Sequence, residues 1–229
     1  MNPMASRSRL GRPRHTREQV DAELSPRDQI LDAAAALFVE YGYAATSTRM
    51  IAERVGIRQA SLYYHFSGKD ELLIELLTTS VRPSLEAVAA VEVLVPEHAT
   101  AAAALYLLAR VDIDTLAQTP HNVGTLYLLP ETQGERYDGF RSERRQLQDA
   151  YSRLGARAAG PSMQSGIAPR RLGELLIQVT EVVIQIRRAR EFEDSDADAI
   201  ATSCLRLCGL GEESIAQARA DASALAALV

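Results

Sequence analysis

Residues 46–69, TSTRMIAERVGIRQASLYYHFSGK, decide the fold of this chain because they contain two short apolar repeats on either side of a glycine. Apolar side chains recur at helical spacing in both halves: Ile51, Ala52 and Val55, then Leu62 and Phe66. Gly56 lies between them, where the chain must turn sharply. The stretch therefore predicts a helix-turn-helix, in which each of two short helices has one buried face.

The outward face of the second predicted helix is polar and aromatic. It carries Gln59, Ala60, Ser61, Tyr63, Tyr64 and His65. These side chains include no carboxylate, whereas an ordinary solvated helix would more often carry Glu and Lys. A phosphate backbone repels carboxylates and accepts hydrogen bonds from hydroxyl, amide and basic groups. The composition of this face therefore predicts that the second helix binds DNA.

A third helix is predicted before this unit. Ser25 suits the capping position, Pro26 suits the first helical position, and Asp28 completes a capping-box pattern. Gly42 is the predicted end of the helix. Between them lies an apolar stripe of Ile30, Leu31, Ala34, Leu37, Phe38 and Tyr41. We expect this helix to support the other two.

From about Ser25 to Leu73 the chain resembles the TetR-type (TetR/AcrR) transcriptional regulators. The shared pattern is an Ala/Phe-rich first helix, a Gly-aromatic turn, Thr/Ser-x-x-x-Ile-Ala, a Gly-hydrophobic pair, Leu-Tyr-x-His-Phe and a following Lys. The resemblance implies that Ser47 caps the second helix beside a phosphate. The residues that would face the major groove are Gln59, Ala60, Ser61 and Tyr64, and those that would bind phosphates are Tyr63, His65 and Lys69.

Two positions depart from the family pattern. Met50 stands where an acidic partner of Ser47 is common, and Arg58 stands where a small hydroxyl residue usually caps the recognition helix. The start of each helix is therefore open, and Arg58 is a candidate for an additional phosphate or base contact. Lys69, the only lysine, is expected at a helix start, where its ammonium and free N–H groups could hold one phosphate. An ordinary surface role for Lys69 is the alternative.

Charge is distributed unevenly along the 229 residues. The formal net charge of −5 argues against a protein that coats nucleic acid indiscriminately. The first 17 residues nevertheless hold five arginines and no acid, and Gly11-Arg12-Pro13-Arg14 looks like the core of an AT-hook arm for the minor groove. A charged tail that only aids solubility is the alternative. The full predicted DNA-binding set is Arg12, Arg14, Ser47, Thr48, Arg49, Arg58, Gln59, Ala60, Ser61, Tyr63, Tyr64, His65 and Lys69.

Helical periodicity continues to the end of the chain, with prolines between segments. We expect helices near residues 84–95, 99–117, 121–129, 139–159, 170–190, 197–210 and 212–228, and no alternating strand pattern interrupts them. The predicted fold is all-α, with an N-terminal three-helix bundle that contains the helix-turn-helix and a larger C-terminal helical domain. The predicted domains are a basic arm (1–24), a DNA-binding domain (25–84) and an effector-binding and dimerisation domain (85–229).

Residues 172–186, LGELLIQVTEVVIQI, are apolar on more than one face, which suggests burial against a second subunit as well as the protein's own core. The resemblance agrees, since TetR-type regulators dimerise through their last long helices. The predicted interface residues are Leu176, Val179, Val183, Ile186, Cys204 and Leu207. Cys204 and Cys208 could instead bridge subunits or sense oxidants, but small buried core residues are the favoured interpretation.

The resemblance also implies an effector pocket in the C-terminal domain. Candidate lining residues are Tyr106, Leu107, Tyr127, Leu128, Phe140, Leu147, Gln178 and Glu181. They lie on predicted helices and mix apolar area with occasional polar groups, which favours an apolar or amphipathic effector. For each residue singly, ordinary core packing is the more common role.

The sequence carries no motif for catalysis, a cofactor or a metal. It lacks a Gly-rich phosphate loop, a Gly-x-Ser-x-Gly elbow, His-Glu-x-x-His and Cys/His zinc spacing. No apolar run approaches the roughly 18 residues of a membrane span, so we expect a cytoplasmic protein. The predicted function is a homodimeric transcriptional regulator, a ligand-released repressor of a palindromic operator. The alternative is a small-molecule-binding helical protein without specific DNA recognition.

Overall fold

A computed structural model describes residues 24–98 and 100–227, and within these ranges all regular structure is helical. The all-α prediction is therefore confirmed for the described part of the chain. Arg12 and Arg14 of the predicted basic arm lie outside the described residues.

Three short helices form the N-terminal bundle: α1 (Pro26–Tyr41), α2 (Thr48–Val55) and α3 (Gln59–His65). The predicted serine caps are present at the starts of α1 and α2, but the Asp28 carboxylate accepts a hydrogen bond from the Ser25 hydroxyl and not from its backbone N–H, as a capping box would require. The Ser25 hydroxyl accepts a hydrogen bond from the Asp28 N–H at 3.2 Å, and the Ser47 hydroxyl accepts one from the Met50 N–H at 3.2 Å. Gly56 adopts a left-handed conformation (φ +80°) in which a side chain would be strained. The glycine therefore permits the sharp turn of the helix-turn-helix.

The bundle is held together by a small apolar core. Ile30 and Phe38 of α1 pack with Ile51 of α2, Leu62 of α3 and the following Phe66, all of them fully or almost fully buried. Two helices then lead away from the bundle, α4 (Lys69–Thr79) and α5 (Arg82–His98). Leucines at four positions of α4 continue the core, so that the bundle and the rest of the protein share one packed interior.

The body of the protein consists of α5 and seven further α-helices of the described chain. These are α6 (Ala101–Gln118), α7 (Asp138–Ala158), α8 (Pro161–Gly166), α9 (Pro169–Thr180), α10 (Val182–Ala189), α11 (Asp194–Leu207) and α12 (Glu212–Ala226). Helix α6 packs against α5, α7, α11 and α12 and is the centre of the body, while α7 packs along α9. Gly173 allows α9 to approach α7 closely, because a Cβ there would lie 2.7 Å from the Ser152 backbone nitrogen.

Two predicted helices differ from the structure. Instead of a helix near 121–129, the chain forms a 3-10 turn at Val123–Leu126, followed by turns at Pro130–Gln133 and Glu135–Tyr137. Gly124 of the first turn lies against Ile184, whose Cδ1 would be 2.5 Å from an added Cβ. The helix predicted for 170–190 is broken at Glu181, where the carboxylate pairs with Arg144 of α7 at 2.6 Å.

Three of the six predicted interface residues are core residues of the protomer. Leu176, Val183 and Cys204 are fully buried, so a partner subunit could not reach their side chains. The other three, Val179, Ile186 and Leu207, are half-buried and accessible at the surface. The core interpretation of the cysteines is confirmed: burial raises the pKa of Cys204 to about 12 and that of Cys208 to about 11. Thiols that hold their protons so tightly are poor nucleophiles.

Candidate nucleic-acid interface and ligand groove

The outward face of α3 is an exposed polar and aromatic surface of the N-terminal bundle. Tyr64 is 86% exposed and Tyr63 is 50% exposed, although both are large aromatic residues. Gln59, Ala60 and Ser61 are exposed at the start of the helix, and the His65 ring meets the Tyr64 ring edge-on at 5.2 Å. The hydroxyl, amide and imidazole groups on this face can donate or accept hydrogen bonds at base edges and can donate them to phosphates.

A hydroxyl at the start of α2 connects two side chains of α3. Thr48 Oγ1 accepts a hydrogen bond from Gln59 Nε2 at 2.9 Å and lies 3.2 Å from Tyr63 Oη. Both short helices thus contribute to one polar cluster at the surface. Sequence reasoning placed these three residues at the DNA, but it missed their mutual hydrogen bonds because no sequence pattern reports a contact between residues 11 and 15 positions apart.

The basic side chains of the bundle differ in how far they are neutralised. Arg49 pairs with Glu53 at 2.8 Å, and Arg54 lies 3.9 Å from Glu40. Arg58 is exposed directly before α3 and forms no ion pair within the described ranges; its side chain makes no capping hydrogen bond. Arg58 is therefore the cation at this surface that is most available to an anion.

Lys69 is held by the protein itself. Its ammonium donates to the Tyr43 carbonyl at 2.8 Å and to the Ala44 carbonyl at 3.5 Å, and it lies 4.2 Å from the centre of the Tyr43 ring. The side chain thus ties the start of α4 to the loop between α1 and α2. Phosphate binding by Lys69 stays a prediction, and it would have to share the ammonium with these contacts.

Two polar contacts join the N-terminal bundle to the body. Asp70 of α4 accepts hydrogen bonds from Tyr43 at 2.6 Å, from Tyr137 at 3.0 Å and from Arg136 at 3.0 Å. These bonds, led by that of Tyr43, hold the pKa of Asp70 below its usual range.

The second contact joins His121, just before the first 3-10 turn, to Asp32 of α1, with 2.9 Å between Nε2 and Oδ1. Sequence reasoning missed both contacts, because the residues that they join lie between 27 and 89 positions apart. The 3-10 turn at Val123–Leu126 packs against α1 and α4, so it lies at the junction between the DNA-binding surface and the body.

Four of the eight predicted ligand residues line one groove of about 310 Å³. Its first wall is the segment after His121, with Tyr127 and Leu128, and its second wall is the broken helix pair α9–α10, with Gln178 and Glu181. Leu128 is 91% exposed at the rim. Val182 and Ile184 add apolar area, while Gln185 and Arg188 add polar groups, so the lining is amphipathic.

The other four predicted ligand residues lie elsewhere. Phe140 and Leu147 are buried in the core, with the Phe140 ring 5.5 Å from that of Tyr127. Tyr106 donates a hydrogen bond to Asp198 at 2.6 Å and lines a separate shallow surface pocket beside α12. Leu107 is half-buried against the core. The structure therefore does not bring these four residues to the groove.

A buried polar cluster lies inside the body, where α6 meets α5, α7 and α9. Asp112 of α6 accepts hydrogen bonds from Ser84 at 2.8 Å and Tyr151 at 3.0 Å, and Thr180 Oγ1 lies 3.3 Å from the same carboxyl. Burial raises the pKa of Asp112 above its usual value. Nothing in the sequence singled out this aspartate, whose three partners come from three other helices.

Comparison with known proteins agrees with the arrangement of the helices. The family model described as "Bacterial regulatory proteins, tetR family" matches residues 30–76. The crystal structure of Mycobacterium smegmatis AmtR is 35% identical, with a TM-score of 0.77, and the alignment covers 88% of this chain and 94% of that one. The chain belongs to the tetR family of bacterial regulatory proteins. Its helix-turn-helix, α2 and α3, is the DNA-binding element of a tetR-family transcriptional regulator.

Curated relatives match over a short part of the chain. The HTH-type transcriptional repressor KstR2 of Mycobacterium tuberculosis is 49% identical over 53 residues, which are 23% of this chain and 26% of that protein. The negative transcriptional regulator IcaR of the biofilm operon icaADBC in Staphylococcus epidermidis is 46% identical over 46 residues, 20% of this chain and 25% of that protein. The chain thus spans about a quarter of the length of these curated relatives.

The described ranges contain neither a helix that could span a membrane nor a candidate metal site. No helix there is long and apolar enough to cross a membrane, and no group of three or more His, Cys, Asp or Glu side chains is arranged to hold a metal ion.

Proposed function

We propose that this tetR-family protein is a homodimeric repressor that binds a palindromic operator and is released from it by a small molecule. The observation that carries the proposal is the outward face of α3, where Tyr63 and Tyr64 are exposed beside Gln59 and Ser61 on a family helix-turn-helix. Two of the relatives are named as repressors or negative regulators, which supports repression.

Tyr64 and Ser61 supply base contacts, whereas Arg58 and Tyr63 supply phosphate contacts in this proposal. Base contacts specify the sequence and phosphate contacts position the protein without reading it. Tyr64→Ala and Ser61→Ala should therefore weaken binding to the operator more than binding to unrelated DNA. Arg58→Gln should weaken binding to both DNAs and reduce the salt dependence by roughly one phosphate contact.

The proposed dimer interface is the exposed face of α9, α10 and α11. Leu175 is 41% exposed and Val182 is 43% exposed, and they lie beside the half-buried Val179, Ile186 and Leu207. Exposed large apolar side chains such as these are typical of a surface that a partner covers. A twofold axis through it would place two α3 helices for two half-sites of a palindrome.

The proposed effector site is the groove between the segment that follows His121, from Gly124 to Leu128, and the helix pair α9–α10. An amphipathic molecule fits its lining, with apolar contacts to Leu128 and Val182 and hydrogen bonds to Gln178 and Gln185. A ligand that moves the segment away from α10 would also move His121, whose partner Asp32 lies on α1. The orientation of the DNA-binding helices would then change with occupation of the groove. We propose no catalytic step for the protein.

The test has two arms. In the first, binding of the purified protein to operator and to random DNA is compared for the wild type, Tyr64→Ala and Arg58→Gln. In the second, amphipathic compounds that raise the melting temperature are added to the operator complex. Operator and effector must weaken each other's binding by the same factor if both act on one equilibrium. Equal affinity of the wild type for operator and random DNA would instead favour a ligand-binding protein without specific DNA recognition.

A further inference from the structure

We propose that Thr48 is a positioning residue that orients Gln59 to read an adenine in the major groove. The inference rests on the proposed function, because it concerns the base that the same surface reads. It is carried by the hydrogen-bonded chain from Gln59 through Thr48 to Tyr63. Gln59 and Tyr63 are exposed and Thr48 is half-buried, so the middle of the chain is more sheltered than its two ends.

The direction of these hydrogen bonds, from donor to acceptor, follows from the fact that a phosphate can only accept. Phosphate oxygens only accept hydrogen bonds, so Tyr63 can bind one only by donating its single proton to it. Its own oxygen then accepts the proton of Thr48, at 3.2 Å. Thr48 has no second proton to donate, so it must accept from Gln59. That requirement agrees with the observed contact, in which Gln59 Nε2 is the atom 2.9 Å from Thr48 Oγ1.

This direction fixes which groups Gln59 presents to DNA. With one N–H engaged by Thr48, the carboxamide keeps its oxygen as an acceptor and its second N–H as a donor. Adenine offers a matching pair in the major groove, with N6–H₂ as donor and N7 as acceptor. Guanine presents two acceptors there, which leave the carboxamide oxygen without a donor. The protein thus holds in advance the side-chain orientation that reads adenine, so less conformational freedom is lost on binding.

The alternative role for Thr48 is a direct phosphate contact from the start of α2. The two roles differ in their dependence on sequence. A phosphate contact contributes equally on every DNA, whereas a residue that orients Gln59 contributes only where the correct base is present. Thr48→Val removes the hydroxyl and keeps the β-branched shape, and Thr48→Ser keeps the hydroxyl. Ser47 caps α2 in every variant, so the helix start is preserved, which circular dichroism and melting temperature verify.

The experiment selects bound duplexes from a random-sequence library with the wild type, Thr48→Val, Thr48→Ser and Gln59→Ala. Affinities are then measured for the best sequence with each half-site position replaced in turn. The wild type should prefer adenine at one position of the half-site by about 5- to 150-fold, the range for one bidentate base contact. Thr48→Val and Gln59→Ala should lose most of that preference at the same position, and Thr48→Ser should keep it. Adding Thr48→Val to Gln59→Ala should change nothing further at that base.

Several results would overturn the inference while the proposed function stands. One is a wild-type preference for another base at the position that Gln59→Ala affects. Another is a Thr48→Val variant that binds every sequence more weakly by one common factor, which would assign Thr48 to a phosphate. A third is a further loss of the base preference when Thr48→Val is added to Gln59→Ala. A wild type that selects no sequence at all would refute the proposed function and this inference with it.

Discussion

Replacing Asp112 with asparagine should leave the protein folded and make its stability less dependent on pH, whereas replacing it with alanine should destabilise it strongly. Asp112 lies in the middle of α6, buried among Ser84 of α5, Tyr151 of α7 and Thr180 of α9. Thr180 also lies 2.8 Å from the Ile177 carbonyl, to which it can donate its only proton. A protonated Asp112 could then donate to Thr180, so the geometry suits the neutral acid.

The cost of Asp112→Ala can be worked from the groups that lose their acceptor. Ser84 and Tyr151 are fully buried and direct their hydroxyls at the Asp112 carboxyl, while Thr180 keeps the Ile177 carbonyl. Each buried donor left without a partner costs about 1–3 kcal/mol. The free energy of unfolding of the variant should therefore be lower by about 2–6 kcal/mol. The whole free energy of unfolding of an ordinary domain is about 5–15 kcal/mol. Asp112→Asn keeps both an acceptor and a donor group in place and should lose about 1 kcal/mol or less.

The pH dependence has a definite sign. Burial raises the pKa of Asp112 in the folded protein, so between the unfolded and folded pKa values the folded state holds more protons. Asp112 therefore adds stability that is fully present below its unfolded pKa and is lost as pH rises through its folded pKa. Asparagine does not titrate, so Asp112→Asn should gain stability relative to the wild type as pH rises from 4 to 8. The gain is at most about 1.4 kcal/mol per pH unit.

Urea unfolding of the wild type and both variants at several pH values measures these differences. Every other titrating group is common to the three proteins, including Asp196, whose pKa of about 2 is set mainly by Arg190. The difference between wild type and Asp112→Asn therefore isolates Asp112. Parallel stability curves for these two from pH 4 to 8 would refute the burial argument. A loss below about 1 kcal/mol for Asp112→Ala would refute the hydrogen-bond argument.

Three further substitutions test packing, dimerisation and the role of Lys69. Gly173→Ala should lower the free energy of unfolding, measured in urea, by about 3 kcal/mol or more, because the new Cβ would meet the Ser152 backbone. The matched control is Gly139→Ala, which has open space around it and should be neutral or slightly stabilising. Leu175→Glu, at an exposed residue of the proposed interface that does not line the groove, should give folded monomers in sedimentation that lose operator affinity; an unchanged dimer would move the interface elsewhere. Lys69→Met should lower the melting temperature by releasing the Tyr43 loop and, if Lys69 also binds phosphate, should reduce the slope of affinity against salt by about one contact; an unchanged melting temperature would contradict the structural role.

The N-terminal bundle could be predicted from sequence because its helix ends are decided locally. Ser25 and Ser47 cap the helices that follow them, and Gly42 and Gly56 end the helices before them, each through contacts a few residues away. The apolar spacing then determined which faces are buried. The predicted outward residues of α3 are exposed, except for the half-buried His65.

The body was harder to predict because distant contacts decide its details. The helix breaks at Glu181, where the sequence has neither proline nor glycine to indicate a break. The break coincides with the ion pair between Glu181 and Arg144, which lies on another helix. Apolar periodicity also cannot tell a surface that faces a partner from one that faces the protein's own core. Val183 and Val182 look alike in sequence, yet the first is fully buried and the second is 43% exposed. The groove was found only in part for the same reason.

The most direct test of the central claim is the selection of genomic DNA fragments by the purified protein, with Tyr64→Ala selected in parallel. The Tyr64 side chain is exposed and does not belong to the core, so this variant should fold and dimerise normally. The wild type should enrich a small set of fragments that share an inverted repeat, with half-site centres one helical turn, about 34 Å, or a multiple of it apart. Tyr64→Ala should fail to enrich them. Recovery of the same fragments by both proteins, or of no common sequence by the wild type, would contradict the account.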